Sequence, residues 1–139
     1  MNEYIALSFN LTKQDAKSRE VDFSYGIAKD LVVPNMPTFY MNFGAEFHIG
    51  DLFFNEDFLK LYWFANYTDD YYYTWKVSKK QDRTIPSSFT QDLGVEYSIF
   101  ANKLSWSFEV HNLTDERVYD KYGESKPGRA FATKVKFSI

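Results

Sequence analysis

Large apolar and polar side chains alternate along most of the chain, and the alternation is strictest near its carboxyl end. From Leu104 to His111 the even-numbered positions are apolar and the odd-numbered positions are polar. From Phe131 to Ile139 the large apolar side chains occupy odd-numbered positions, and the lysines occupy even-numbered ones. Because successive side chains of a β-strand leave opposite faces, this period of two predicts two strands that form a hairpin.

The two strands of this hairpin must agree on which face is apolar, and this requirement restricts how they pair. Paired residue numbers must add up to an odd value, since a slip by one residue would turn every side chain to the other face. A register with Glu109 opposite Lys134 and Ser107 opposite Lys136 meets the requirement. A pair between Glu109 and Lys134 would contribute ~0.2–1 kcal/mol and is interpreted as structural.

The same alternation predicts five further strands earlier in the chain. Their predicted ranges are residues 3–11, 20–28, 38–49, 58–67 and 89–100. With the hairpin, these make an all-β protein of about seven antiparallel, up-and-down strands. Each strand has about 9–12 residues, which is long enough for a tilted strand to cross the hydrocarbon layer of a membrane.

The predicted connections alternate between short and long. Short turns are expected near residues 12, 50 and 101, and longer loops at 29–37, 68–88 and 114–128. Short turns at one end and long loops at the other are typical of bacterial outer-membrane barrels, in which the short turns face the periplasm. We therefore expect the long loops to face the outside of the cell.

The charged side chains within the strands predict which face contacts lipid. A lysine on the lipid face near the membrane midplane costs ~2–4 kcal/mol. The charged positions all fall opposite the large apolar side chains; they are Glu46, Lys60, Glu96, Glu109, Lys134 and Lys136. The apolar side is therefore expected to face lipid, and the polar side a water-filled bore.

Two alternatives remain open at this point. A soluble antiparallel sheet with one packed and one solvated face produces the same alternation. The chain could then be a self-contained soluble or secreted β-barrel or sandwich that binds a ligand. A third possibility is a small membrane barrel that is completed by a strand from a partner or from a second copy.

A motif within the final hairpin resembles a known family. The motif residues are Asn112, Leu113, Thr114, Asp115, Pro127, Gly128 and Arg129, with Tyr122 and Gly123 between them. Together with the alternating last strand, they resemble the C-terminus of TonB-dependent outer-membrane receptors. The stretch from Pro34 to Pro37 before the strand at Thr38 is also similar, whereas the ending on Ile139 departs from the usual terminal Phe or Trp.

The resemblance implies a function as well as a fold. Residues 1–139 would be the C-terminal portion of a 22-stranded, plugged transporter barrel, without plug domain or signal peptide. Seven strands cannot close a barrel of even strand number, so about fifteen strands would come from elsewhere. The implied partners are outer-membrane lipid, the plug domain, TonB and an imported nutrient of the siderophore, haem, vitamin or glycan class.

The composition and the motifs of the chain argue against several classes of function. The 139 residues are 20% aromatic and carry a net charge of −3, which argues against nucleic-acid binding. Cysteine is absent, so disulfides and thiolate metal sites are excluded. No catalytic constellation, phosphate-binding glycine loop or spaced carboxylate pair occurs, and we expect neither an enzyme nor a cofactor.

The remaining candidates for substrate contact are aromatic residues and a histidine. Tyr71, Tyr72, Tyr73 and Trp75 lie in the longest predicted loop and would form a platform for a sugar, siderophore or porphyrin. A membrane-interface girdle is the alternative for these side chains. His111 is expected to face the bore near its outer end, either as a haem or metal ligand or simply as a polar wall residue.

Structural roles are expected for the motif residues. Gly128 permits a conformation with positive φ, and Pro127 is expected to stiffen the loop before it. Asn112 and Asp115 are predicted to satisfy local backbone groups where the strand ends.

Overall fold

The computed structural model describes residues 3–19, 29–75, 83–121 and 123–138, and all regular elements within them are β-strands. The strands are β1 (Glu3–Lys13), β2 (Phe39–Gly50), β3 (Phe58–Thr68), β4 (Tyr71–Tyr72), β5 (Thr84–Ile85), β6 (Ser88–Ile99), β7 (Leu104–His111), β8 (Tyr119–Lys121), β9 (Glu124–Ser125) and β10 (Ala130–Phe137). The described part of the chain holds no helix with the length and apolarity of a membrane span.

Six strands form one antiparallel sheet in the order β1-β2-β3-β6-β7-β10. This confirms the all-β class and the up-and-down arrangement. The sheet is open, with β1 and β10 as its two edges. The predicted strand at 20–28 lies outside the described residues, and the other six predicted strands are present. Two small ladders, β4-β5 and β8-β9, lie within the connections.

The connections differ sharply between the two ends of the sheet. Residues 14–38, 69–87 and 112–129 connect strands at one end, hereafter the long-loop end. Residues 51–57 and 100–103 connect them at the other, the short-turn end. The predicted asymmetry in loop length is thus present between the strands that the structure describes.

The prediction for the first connection is wrong. A short turn near residue 12 was expected at the short-turn end, but β1 pairs directly with β2 and places Lys13 beside Phe39 at the long-loop end. Backbone pairing then continues beyond the strands, because the Gln14 N–H donates to the Thr38 carbonyl and Lys17 bridges to Val32.

The final hairpin keeps the predicted faces but not the predicted register. Ala132 lies opposite Glu109, and Lys134 lies opposite Ser107, so the predicted Glu109–Lys134 pair is wrong. The observed register is slipped by two residues, a slip that leaves every side chain on its face. Two hydrogen bonds of 3.0 Å hold this register: Thr133 Oγ1 donates to the Ser107 carbonyl and accepts from Trp106 Nε1.

One face of the six-stranded sheet carries most of the large apolar side chains, and these are exposed or half-buried. We call it the apolar face; it comprises the even-numbered positions of β7 and the odd-numbered positions of the other five strands. Between 36% and 70% of the side-chain surface is exposed at Ile5, Leu7, Phe9, Leu11, Leu61, Phe89, Leu93, Trp106, Phe108, Phe131, Val135 and Phe137. Among the described residues, the buried hydrophobic side chains are only Ala65 and Ile85. The sheet therefore has no hydrophobic core of its own, and its apolar face needs a cover.

The turn at 51–57 is fixed by one buried carboxylate. Asp57 is 3% exposed and accepts hydrogen bonds of 2.6–3.0 Å from the N–H groups of Leu52, Phe53 and Phe54 and from the Tyr97 hydroxyl. Burial acts to raise the pKa of this carboxyl, but the four donors outweigh burial and hold the pKa at about 2. The turn is therefore built around an ionised Asp57.

Candidate functional site

The opposite face of the sheet, the polar face, carries most of the charged side chains of the six strands; the exceptions, Glu3 and Lys13, are at the two ends of β1. Cross-strand pairing arranges them in rows that run across the strands. The rows in the short-turn half are Tyr4–His48–Lys60–Glu96–Ser107–Lys134 and Ala6–Glu46–Tyr62–Gly94–Glu109–Ala132. Charge is therefore concentrated in the half of the polar face that lies nearer the short turns.

Glu46 is the centre of the ionic contacts in this half. Its Oε2 lies 2.9 Å from Lys60 Nζ and 3.0 Å from His48 Nε2. The His48 ring is stacked on Tyr4, with centroids 4.2 Å apart, and packs against Phe58 from the other side. These contacts pair opposite charges and attach the edge strand β1 to the rest of the sheet.

Aromatic rings cover two glycines of the polar face, Gly44 and Gly94. The Tyr62 ring lies over Gly94 and the Phe64 ring over Gly44, so closely that a Cβ at either glycine would collide with the ring. The two ring centroids are 5.6 Å apart, and the Tyr62 hydroxyl hydrogen-bonds Glu109. Glycine thus allows these rings to lie close against the backbone of the sheet.

His111 lies on the polar face, as predicted, but beside Asp92 and level with Phe64 and Gly44 in the middle of the long strands, not near the long-loop end. Its Nδ1 is 3.4 Å from Asp92 Oδ2, and its Nε2 is 3.3 Å from Glu109 Oε2. His48 lies three strand spacings away across the sheet, or ~14 Å, and is offset by a further four residues along the strands, so the two histidines do not share a ligand. Within the described ranges, no group of three or more His, Cys, Asp or Glu is placed to hold a metal ion.

The long-loop half of the polar face is built from amides and hydroxyls. Two rows there are Asn10–Asn42–Asn66–Thr90 and Thr12–Tyr40–Thr68–Ser88. Sequence reasoning missed these rows, because their members are far apart in the chain and become neighbours only through strand register. The two halves of the polar face therefore differ in chemistry, one charged and one neutral.

A cavity of about 470 Å³ lies at the long-loop end of this neutral half, and we call it the outer cavity. The sheet residues that line it are Asn66, Thr68, Ser88, Thr90, Asp92 and His111. The loop residues that line it include Asn112, Lys126, Pro127 and Gly128. A second depression, of about 340 Å³, shares Asp92 and His111 and reaches the rings of Tyr62 and Phe64.

Asn112 shapes the loop beside the outer cavity. It has a φ of 51°, is 8% exposed, and donates its N–H to Asp92 Oδ1 at 2.8 Å. Its side-chain amide donates to the Glu116 carbonyl and accepts from the Glu116 N–H. The prediction that Asn112 satisfies local backbone groups is confirmed.

Asp115 and Gly128 hold the two sides of the same loop together. Asp115 Oδ1 accepts the Arg129 N–H at 2.8 Å, which confirms the predicted role of Asp115. Gly128 does not adopt the positive φ that glycine permits; the glycine with positive φ in the described chain is Gly123. Gly128 is required for a different reason, since a Cβ there would collide with Asp115 Oδ1.

The other motif residues lie at the loop surface. The Leu113 N–H donates to the Gln91 carbonyl at 2.7 Å, while the Leu113 and Thr114 side chains are exposed. Pro127 lines the outer cavity. The motif therefore folds the loop and presents part of it to the cavity.

The predicted aromatic platform is placed in a separate part of the long-loop end. Tyr71 and Tyr72 form β4 and pair with β5, and the Tyr73 N–H donates to the Arg83 carbonyl. The Tyr72 carbonyl accepts the Asn35 N–H at 2.7 Å, which ties this loop to the connection at 14–38. These tyrosines and Trp75 are partly buried, so the structure brings His111 to the motif loop and the tyrosines to a neighbouring loop.

Comparison with protein-family models, with curated protein sequences and with solved structures finds no match to this chain. The resemblance of the final hairpin to TonB-dependent receptors therefore stays a prediction.

Proposed function

We propose that this chain forms part of the wall of an outer-membrane β-barrel, as the C-terminal segment of a TonB-dependent receptor for nutrient uptake. The observation that carries the proposal is the exposed apolar face of the six-stranded sheet. Burying such a face contributes roughly 25 cal/mol for each Å² of apolar surface removed from water. Acyl chains can cover the apolar face along its full length.

Strand length supports this proposal. β2 and β6 have 12 residues each, and β1 and β3 have 11. Membrane strands of ~9–11 residues, tilted by about 45°, cross the hydrocarbon layer. These four strands can therefore span a bilayer, with the short turns on the periplasmic side, whereas β7 and β10 have 8 residues each and cover only its short-turn half.

The open edges support a barrel that extends beyond these six strands. β1 and β10 each present backbone groups on one side without a strand partner in the described sheet. Lipid cannot hydrogen-bond these groups, so a membrane sheet must close on itself. In this proposal further strands close the wall, a plug fills the bore, and TonB supplies the energy for import.

The soluble alternative is less well supported by the same observations. A β-sandwich packs its apolar face against a second sheet about 10 Å away. In the part of the chain that the structure describes, the sheet meets no second layer on its apolar face, where Leu7 is 69% exposed and Phe131 is 66% exposed. The observation thus favours a lipid-facing wall over a self-contained ligand-binding protein.

Quenching of tryptophan fluorescence by lipid tests the proposal directly. The chain would be refolded into phosphatidylcholine vesicles whose acyl chains carry bromine, using a Trp75→Phe variant. Trp63 and Trp106 then remain, both on the apolar face. We expect strong quenching relative to unbrominated vesicles, because both rings would lie among acyl chains.

A matched variant reports on the opposite face. Replacing Trp63, Trp75 and Trp106 with Phe and adding Ser107→Trp leaves one tryptophan, on the polar face. We expect brominated lipid to quench it far less. A cooperative, water-soluble monomer that forms without lipid or detergent would contradict the proposal, as would equal quenching of the two faces.

A further inference from the structure

We propose that the outer cavity binds an uncharged, polyhydroxylated ligand of the glycan class. The inference rests on the proposed function, since it names the class of nutrient that the long-loop end of the wall would contact. It follows from how polar groups are distributed between the two halves of the polar face, and from the residues that line the outer cavity.

The wall of the outer cavity matches the hydrogen-bonding character of sugar hydroxyls. Asn66 offers both a donor and an acceptor, and the hydroxyls of Thr68, Ser88 and Thr90 can each do either. A sugar hydroxyl also donates and accepts. A neutral wall of this kind can pair with several hydroxyls without having to compensate a charge.

The neutral surface continues beyond the cavity along the sheet. Asn66 lies opposite Asn42, which lies opposite Asn10, so three amides follow one another across neighbouring strands. Adjacent strands are ~4.8 Å apart. A chain of sugar rings lying across the strands would therefore meet a repeated set of amide groups.

The depression next to the outer cavity adds the ring surfaces of Tyr62 and Phe64. It is also lined by the charged side chains of Asp92, Glu96, Glu109 and Lys60. Asp92 and His111 belong both to the outer cavity and to the depression that Phe64 and Tyr62 line. An aromatic face can pack against the C–H face of a pyranose, and the Asp92 carboxylate can accept sugar hydroxyls. Ligand sites commonly combine apolar surface with a few fixed polar groups in this way.

The distribution of cations argues against an anionic ligand such as a ferric chelate. Recognition of such anions relies on Arg or Lys at the contact surface. On the polar face of the six strands, the lysines are Lys60, Lys134 and Lys136, and all three lie in the short-turn half. The outer cavity itself is lined by one lysine, Lys126, and by one carboxylate, Asp92.

Ligand-observed saturation-transfer NMR tests this proposal on the full chain refolded in the sugar-free detergent lauryldimethylamine oxide. The probes are maltohexaose and xylohexaose as neutral oligosaccharides, and an anionic ferric tris-catecholate complex whose binding is measured by equilibrium dialysis. We expect binding of at least one oligosaccharide and none of the ferric complex. Asn66→Leu and Thr90→Val should each weaken sugar binding by about tenfold, which corresponds to one lost hydrogen bond.

Ser105→Ala is the control, since Ser105 lies on the polar face at the short-turn end and should leave sugar binding unchanged. Circular dichroism would verify that each variant keeps its β-structure. Binding of the ferric complex alone, binding of neither class by a folded chain, or sugar binding that Asn66→Leu and Thr90→Val leave intact would each overturn the glycan assignment. None of these results would affect the barrel-wall proposal, which instead fails if the chain is folded and monomeric in water.

Discussion

The two faces of the six-stranded sheet differ in how exposed their side chains are and in the contacts that these side chains make. On the apolar face, large side chains such as Leu7 and Val135 are more than two-thirds exposed and make few polar contacts. On the polar face, Lys60 is paired with Glu46, and Gly44 and Gly94 lie under aromatic rings. A soluble antiparallel sheet buries its apolar side. Side chains of the polar face therefore make many of their contacts with one another, whereas the apolar face depends on its surroundings for a cover.

The largest expected effect comes from placing the same charge on either face of β10. Phe131→Lys puts a cation on the apolar face, and Ala132→Lys puts one on the polar face opposite Glu109. We expect Phe131→Lys to lower the free energy of unfolding in lipid vesicles by ~2–4 kcal/mol. Ala132→Lys should change it by less than ~1 kcal/mol in either direction. Urea titration of the vesicle-bound chain measures both.

If both lysine variants lowered the free energy of unfolding by similar amounts, the two faces would not differ in their contact with lipid. Such similar losses would mean that neither face contacts hydrocarbon. A large loss for Ala132→Lys alone would reverse the assignment and place the charged side chains away from water.

The next effect concerns added volume. Gly94→Val introduces a Cβ that collides with the Tyr62 ring, so it should lower the free energy of unfolding by ~1–3 kcal/mol. Leu93→Phe adds volume to the neighbouring position on the apolar face, where acyl chains can rearrange, and should cost less than ~1 kcal/mol. Combining Gly94→Val with Tyr62→Ala should recover part of the loss, which unfolding in urea would show.

Strand positions and faces could be predicted from the sequence because they depend on local alternation. Every side chain in β7 and β10 has its predicted face, and the six described strands agree with prediction to within about two residues at most ends. The pairing register could not be predicted, since a slip by two residues keeps all faces unchanged. The contacts of Asp115 with Arg129 and Gly128 hold the loop in place, and these are not visible in an alternating pattern.

The candidate site was harder to predict than the fold. Tyr71 and His111 stand out in the sequence by residue type, yet the structure places Tyr71 in the connection at 69–87 and His111 on the sheet beside Asp92. Asn42, Asn66 and Thr90 are common residue types that become a surface only when strands align. Short-range patterns therefore identify unusual residues, whereas the site depends on contacts between distant strands.

A pH-dependent effect is expected at the short-turn end, where the Asp57 carboxylate fixes the turn at 51–57. The pKa of Asp57 lies at about 2, below its ordinary value of 3.8, so the unfolded chain binds more protons between these values. The stabilisation from ionised Asp57 should therefore be complete above about pH 4 and disappear as the pH falls towards 2. Asp57→Asn should be less stable than the wild type at pH 7.

The difference in urea midpoint between wild type and Asp57→Asn, measured from pH 7 to pH 2, checks this prediction. It should be constant down to about pH 4 and then shrink. Asp51→Asn is the control, because Asp51 accepts only the Glu56 N–H in an exposed position and should leave the pH profile of the wild type nearly unchanged. A difference that does not change with pH would show that the Asp57 charge contributes nothing to the turn.

The smallest effect distinguishes a water-lined bore from a dry one. Lys60 Nζ and Glu46 Oε2 are 2.9 Å apart, and each side chain is about one-quarter exposed. If water reaches the polar face, a double-mutant cycle of Lys60→Met and Glu46→Gln should give a coupling of only ~0.2–1 kcal/mol. The coupling should also weaken as salt rises from 0.05 to 1 M, because the screening length falls to about 3 Å at 1 M. A coupling of several kcal/mol that salt does not change would place the pair in a medium without water and ions. The polar face would then be the side that is shielded from solvent, and its contrast with the apolar face would need another explanation.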